Sequence, residues 1–245
     1  PAPATAGPAA PTPEDADAAV VSAREAFDNG PWPDMPVIDR VTVCRRLCDL
    51  LEARMDQLNR AWAFESGATL AHGAMINGTA GVSIWRQALE LAPNLPWEEE
   101  RDGALIWREP IGTVLGVLTF NGPIVLLGMK IIPALLAGCT VIIKHAPESA
   151  LTSRLIAEAI READFPPGVV SVLAAGTRVS QHLVGHPGVD MVALTGGTEI
   201  GIDVVKRTAE RLARTALELG GKAPAIIADD ADIDEVIETL GPGSS

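Results

Sequence analysis

Tyrosine is absent from the 245 residues, and the aromatic set amounts to four Phe and five Trp. So few ring faces argue against a surface built to stack nucleic-acid bases. Positive charge is scarce too: 19 Lys and Arg stand against 32 Asp and Glu, a net of -13. Such a chain is repelled by phosphate backbones and by anionic lipid, and no Lys/Arg cluster offsets this, so neither nucleic acid nor membrane is an expected partner. Cysteine occurs only as Cys44, Cys48 and Cys139. An odd count without Cys-x-x-Cys excludes a disulfide framework, and His72, His145, His182 and His186 make no zinc spacing with these thiols, so no metal site is expected. Reduced thiols and a cytoplasmic setting fit this usage. No apolar run reaches the ~18 residues of a membrane span. The N-terminus lacks the basic-then-apolar pattern of a signal peptide.

What is present is ordinary globular material, 47% apolar and 21% charged, which excludes collagen, coiled coil and disorder. A chain of this length buries most of its apolar surface without staples. Residues 1–13, rich in Pro, Ala and Thr, read as extended. Thr12-Pro13-Glu14-Asp15 signals a helix start, with a helix to Phe27 ended by Asn29-Gly30-Pro31. Cys44, Leu47, Cys48, Leu51, Met55, Leu58 and Trp62 recur at helical spacing and predict one helix over about 39–65, with both thiols on its buried face. A third helix is expected over about 70–92. Asp102-Gly103, between charged arms at 97–108, predicts a hairpin with a type I′ turn.

From residue 111 apolar β runs alternate with helical segments. The expected strands are Thr113–Phe120, Thr140–Lys144, Val169–Ala174, Met191–Leu194 and Ala223–Ala228. Helices are expected over about 123–137, 150–163, 178–185 and 198–213. This alternation predicts an α/β fold with a parallel sheet covered on both faces. Ligands of such sheets bind at the carboxyl ends of the strands.

Four groups stand at those ends, and each admits a plain structural reading beside a functional one. Asn121 follows the first strand as a turn residue or an amide donor. Lys144 ends the second as a snorkelling surface lysine or a ribose or phosphate ligand. Thr195-Gly196-Gly197-Thr198-Glu199-Ile200-Gly201 enters a helix as a tight turn or a phosphate approach, without the Gly-x-Gly-x-x-Gly fingerprint. Glu218 lies in Leu217-Glu218-Leu219-Gly220-Gly221-Lys222, either a surface carboxylate or a general base in an apolar pocket. The acidic run Asp229 to Glu235 reads as a solvated face rather than a cation site.

Taken in order, these segments resemble the aldehyde dehydrogenase superfamily. Arg108-Glu109-Pro110-Ile111-Gly112 is similar to its strand lead-in, Phe120-Asn121 to its aromatic-Asn pair, and Ala137 to Lys144 to its Ala-Gly-x-x-Val-x-x-Lys segment. Leu194 to Gly201 matches its Thr-Gly-Ser-Thr turn, and Leu217 to Pro224 its glutamate signature. The resemblance covers nearly the whole chain, including the helical lead from Thr12 to Arg54.

The resemblance implies oxidation of an aldehyde substrate with NAD or NADP through a thioester. Asn121 would donate to the oxyanion and Glu218 would activate the hydrolytic water. Lys144, with Ala146 beside it, would meet the adenosine ribose. Gly196 and Gly197 would approach the pyrophosphate, while Gly176, Ser180, Leu194 and Ile200 would line the adenine side. Leu118, Thr119 and Phe120 would flank the nicotinamide ribose, and Leu219 would contact the nicotinamide. The hairpin would be an oligomerisation arm joining a homo-oligomer, dimer or tetramer, by strand addition.

The expected layout is a helical lead over 1–96, a hairpin arm over 97–110 and a Rossmann-like NAD(P)-binding α/β domain over 111–245. Three departures from the family matter. Pro147 stands where NAD-preferring relatives often carry a ribose-binding Glu, which leaves NADP open. Phe120 replaces a frequent Trp. The chain also stops, at Gly241 to Ser245, before the position where the family's catalytic Cys lies. Cys139 opens a buried strand and is not expected to replace it. The sequence thus reads as the cofactor half of a hydrolytic aldehyde dehydrogenase, truncated and inactive alone. A non-catalytic nucleotide-binding module and a structural subunit stand as alternatives.

Overall fold

A computed structural model describes residues 10–240. The first nine residues of the stretch read as extended, and Gly241 to Ser245, lie outside the described residues. Helix α1 spans Pro13–Asp28. Thr12 caps it: its Oγ1 accepts from the Asp15 backbone N–H (3.3 Å), and Asp15 Oδ2 accepts from the Thr12 N–H (2.8 Å). This reciprocal pairing satisfies two otherwise orphaned donors.

The helix expected over 39–65 is two helices, α2 (Val37–Ala53) and α3 (Met55–Ser66). The break falls at Arg54, whose guanidinium reaches Glu162 Oε2 at 2.5 Å. The apolar period runs through the break, so the pattern did not reveal it. The stretch expected as one helix over 70–92 comprises α4 (Leu70–Gly73), a π-helical segment (Ala74–Gly81) and α5 (Val82–Leu91). In the π segment Asn77 is fully buried and its Nδ2 donates to Asn59 Oδ1 at 3.1 Å.

Strands β1 (Glu98–Arg101) and β2 (Ala104–Trp107) pair antiparallel as a separate hairpin. Its turn residues Asp102 (φ 52°) and Gly103 (φ 76°) both occupy the left-handed region, as a type I′ turn requires.

The remaining strands form one parallel sheet: β3 (Thr113–Val117), β4 (Thr140–His145), β5 (Val170–Ala174), β6 (Met191–Gly196) and β7 (Arg214–Leu219). Their spatial order is β5-β4-β3-β6-β7. The connections carry α6 (Pro123–Leu126), a π turn (Leu127–Ile131), α7 (Ile132–Leu136), α8 (Ala150–Glu162), α9 (Thr177–Gly185) and α10 (Thr198–Ala209). The chain builds outward from β3 through β4 to β5, then returns to the other side of β3 for β6. This is a topological switch point, so the Rossmann-like expectation holds.

Each sheet face has its own core. On one, Val141 and Ile143 pack with Leu47, Leu51, Trp85, Leu127 and Ile156 from the helices. On the other, Leu115, Ile142 and Val192 pack with Ala16, Val20 and Ala23 of α1 and Val179 and Leu183 of α9. β3 and β4 are buried along their whole length, as strands covered on both sides must be.

One expected strand is corrected. Residues 223–228 form no strand; Arg214–Leu219, left unassigned after the helix expected to end near 213, is the strand that pairs with β6. Pro224 lacks a donor for a ladder. Pairing with β6 overrides the helix-forming character of Ala213 to Leu219. Ile226 is left 91% exposed. A final helix, α11 (Ile233–Leu240), buries none of its residues. Asp232 caps it by accepting from the Asp234 N–H at 2.9 Å, which gives the acidic run a local structural task.

Candidate active site

The carboxyl ends of β3, β4 and β6, the loop after β5, and helices α9 and α10 enclose a cavity of 620 Å³. It lies at the switch point. Leu118, Thr119, Phe120, Asn121, Lys144, Ala146, Gly176, Ser180, Leu194, Gly196, Gly197 and Ile200, scattered over 83 positions by sequence number (118 to 200), all line it.

Asn121 sits in the turn between β3 and α6. Its side-chain Oδ1 accepts from Thr119 Oγ1 at 2.6 Å. That bond fixes the amide's orientation and leaves Nδ2 as a donor. Lys144 occupies the end of β4 and is only 8% exposed. Burial pushes its ammonium below the usual lysine range, while the Glu148 carboxylate opposes the shift. Thr195 Oγ1, at the end of β6, is buried without a hydrogen-bond partner.

Helices α9 and α10 begin at Gly176 and Gly197, and no side chain caps either. Their first N–H groups are therefore available to an anion. A side chain at Gly176 or Gly197 would meet no protein atom within 4 Å, so packing is not what requires glycine there. An ammonium, two uncapped helix starts and an orphaned hydroxyl around one slot fit a phosphate-bearing dinucleotide.

Glu218 and Leu219 do not line this cavity. They end β7, where Glu218 registers with Thr195 and Leu219 with Gly196. Glu218 is exposed rather than enclosed in the apolar pocket its sequence context suggested. Its carboxylate acts on Lys130, a buried lysine in the π turn. Desolvation lowers its pKa and the Glu218 carboxylate raises it. Leu219 packs onto Gly201, where a Cβ would stand 2.7 Å from Leu219 Cδ2.

The sequence reading passed over Thr177, Gln181, Val184, Glu199 and Asp203, which also line the cavity. The signal was available: Thr177, Ser180, Gln181 and Val184 follow i, i+3, i+4, i+7 and share one face of α9. Asp203 is held by Arg207 Nε at 2.7 Å and Gln181 Nε2 at 3.3 Å.

None of the three cysteines reaches the cavity. All are buried free thiols. Desolvation raises each, Cys48 to about 12. Cys139 precedes β4 at its amino end, and Lys144 lies five residues along, roughly 16 Å away at strand rise. A larger hollow of 760 Å³ lies between the hairpin and α2, lined by Arg40, Trp97, Trp107 and Arg108. It holds no Cys, Ser or His and is far from the strand carboxyl ends.

The aldehyde dehydrogenase family model matches residues 4–244. The chain belongs to that family. It is 38% identical to geranial dehydrogenase of Castellaniella defragrans over 93% of this chain and 48% of the relative. Aminoacetaldehyde dehydrogenase of Pseudomonas aeruginosa is 37% identical over 94% of this chain and 48% of its own length. The Mycobacterium tuberculosis aldehyde dehydrogenase complexed with NAD+ superposes with a TM-score of 0.90 at 36% identity, covering 94% of this chain and 49% of that one. The chain spans about half the length of the aldehyde dehydrogenases it matches. Among the described residues no helix is long and apolar enough to cross a membrane.

Proposed function

We propose that the chain is the coenzyme-binding part of an NAD(P)-dependent aldehyde dehydrogenase that converts an aldehyde to a carboxylic acid. The observation that carries this reading is the convergence of Asn121, Lys144 and two uncapped glycine-started helices on one switch-point cavity, in a chain of this family. In the layout we adopt, residues 1–96 form a helical lead, 97–110 an arm and 111–245 the coenzyme domain.

Lys144 would bind the adenosine ribose, with Ala146 beside it. The N–H groups at the starts of α9 and α10 would receive the phosphates. Gly176, Ser180, Leu194 and Ile200 would flank the adenine, and Leu118, Thr119 and Phe120 the nicotinamide ribose. Bound NAD(P)+ supplies the hydride acceptor. Asn121 Nδ2, already turned outward by its bond from Thr119, would donate to the oxyanion that forms when a thiolate attacks the aldehyde. Glu218 would take a proton from the water that hydrolyses the thioester. Its exposure on β7 and the nearby Lys130 are compatible with that task once a further layer covers the strand. None of the three thiols in the chain can be the nucleophile, so that group would come from the part of the relatives' length that this chain does not span. The hairpin, a two-stranded ribbon that among the described residues pairs only with itself, is suited to adding a strand from a second copy.

Titration with NAD and NADP tests the coenzyme reading. The protein should bind at least one of them. Lys144→Ala should weaken binding roughly tenfold or more, in line with a lost charge-assisted contact. Asn121→Ala should leave coenzyme affinity unaltered. An unchanged Kd for Lys144→Ala would overturn the assignment of Lys144.

A further inference from the structure

Asparagine followed by glycine occurs in the chain at Asn29-Gly30, Asn77-Gly78 and Asn121-Gly122. In such a pair the glycine has no Cβ to keep its own backbone nitrogen away from the preceding side chain. We propose that Asn121-Gly122 is a self-modification site: the Gly122 nitrogen attacks the Asn121 amide, water opens the ring so formed, and the cavity amide becomes a carboxylate. The reaction needs only this chain and water. Its cost to catalysis rests on the reading of Asn121 as the oxyanion donor.

The Gly122 N–H gives its proton to solvent base, and the nitrogen forms a bond to Asn121 Cγ. The Cγ–Nδ2 bond breaks, and Nδ2 leaves as ammonia with a proton taken back from solvent. The product is a cyclic imide. Water then adds to one of its two carbonyl carbons. Breaking the bond from the Gly122 nitrogen to Cγ gives aspartate. Breaking the bond to the Asn121 main-chain carbonyl carbon gives isoaspartate, with the chain running through the former side chain. Either way the water oxygen ends in the new carboxylate, a proton returns to the Gly122 nitrogen, and nothing is oxidised or reduced.

The surroundings of this pair favour each step. Thr119 Oγ1 donates to Asn121 Oδ1 at 2.6 Å. That hydroxyl polarises the amide carbonyl and meets the oxygen on which negative charge builds during attack. Among the described residues neither Nδ2, the leaving group, nor the Gly122 N–H has a hydrogen-bond partner. Asn121 is exposed, so water reaches the imide. The other two pairs lack this set. Asn77 is fully buried in the π-helical segment, its Nδ2 donates to Asn59 Oδ1 at 3.1 Å, and nothing donates to its Oδ1. Asn29 is exposed, but its Nδ2 is tied to Glu25 Oε2 at 3.0 Å. Gly30 is packed so closely that a Cβ there would stand 2.4 Å from the Ala26 carbonyl oxygen. Conversion at Asn121 replaces a donor with a group that only accepts, and sets a negative charge where the oxyanion would form.

The test is incubation of the purified chain at mildly alkaline pH in heavy-oxygen water, with peptide mapping by mass spectrometry. Conversion is read as gain of a heavy oxygen and as isoaspartate resolved from aspartate. The Asn121 peptide should convert at least about tenfold faster than the Asn77 peptide, and ahead of the Asn29 peptide. Its rate in the folded chain should match or exceed that in the same chain unfolded in urea. Gly122→Ala adds a Cβ with no atom within 4 Å, so the fold is kept. It should slow conversion at least about threefold, by restricting the backbone that must fold onto its own side chain. Thr119→Val should slow it by at least about the same factor, and Thr119→Ser should restore the wild-type rate. Circular dichroism checks folding, and Gly122→Ala carries the test if Thr119→Val does not fold. Conversion at Asn121 no faster than at Asn77, slower in the folded chain than in urea, or unchanged in either folded variant would overturn the inference and leave the coenzyme reading intact. A folded chain that converts at Asn121 yet binds neither coenzyme would overturn the coenzyme reading and leave the modification standing.

Discussion

Gly112 shows how one residue can be fixed by its surroundings. Its φ is +127°, and a Cβ there would lie 1.9 Å from Asp190 Oδ2. Asp190 cannot move aside, since it accepts from the Thr113 N–H at 2.8 Å and from Arg24 Nη1 at 2.6 Å. Gly112→Ala combines backbone strain with a clash, and should cost more than about 2 kcal/mol, read as a fall in the urea midpoint. His145 makes a second case. It is fully buried, neither ring nitrogen has a partner, and burial together with Lys144 pushes its pKa down to about 4. The unfolded chain binds a proton there near pH 6.5 and the folded chain does not. Stability is therefore intact above pH 6.5 and falls as pH drops toward 4, by up to about 3 kcal/mol. His145→Val should flatten that part of the stability-pH curve; a slope equal to the wild type's would show the loss arises elsewhere. The places of Asn121 and Lys144 on the cavity wall were legible in the sequence because each stands at the end of an apolar run. The environment of Glu218 was not legible. Its neighbours Leu217 and Leu219 left a surface carboxylate and a pocketed base equally open; successive residues of a strand point to opposite faces, and on the edge strand β7 the face carrying Glu218 meets solvent.

At the scale of elements, the sequence revealed those whose signals are local. The helix start at Thr12, the Asp102-Gly103 turn and the buried runs of β3 and β4 needed no partner to be recognised. The elements set by distant partners were missed. The break at Arg54 coincides with an ion pair to Glu162, 108 residues away, which the local pattern cannot show. β7 exists because β6 offers it a ladder, and 223–228 has no such neighbour among the described residues. A comparable long-range tie joins α2 to α7. Arg40 is 6% exposed and donates through Nε to the Leu136 carbonyl at 2.9 Å, and through Nη1 to the carbonyls of Pro33 and Met35. Its guanidinium also lies over the Trp97 ring, 5.8 Å from the centroid. Arg40→Met keeps most of the volume but leaves those carbonyls unpaired. A loss of about 2–3 kcal/mol is expected in chemical denaturation. Loss of less than about 0.5 kcal/mol would mean water replaces the guanidinium at no cost.

Over the whole molecule, two cores clamp one sheet, and α1 near the start of the chain belongs to the same core as α9, which begins at Thr177. The central strand β3 joins neighbours of very different origin: Val114 registers with Val141 on one side and with Met191 on the other. The first pairing closes a loop of 27 residues and the second one of 77, counted from those residue numbers. Closure entropy and contact order both make the second the later event. The switch-point cavity needs both, because β3 and β4 supply one wall and β6 with α10 the other. Binding competence should therefore mature last in refolding. In stopped-flow experiments, recovery of coenzyme binding should follow the slowest phase rather than the early regain of helical signal, and coincidence with the fast phase would contradict this order. A newly made chain would thus pass through an interval in which it is largely helical and compact yet blind to its ligand, with the unpaired side of β3 waiting for its partner.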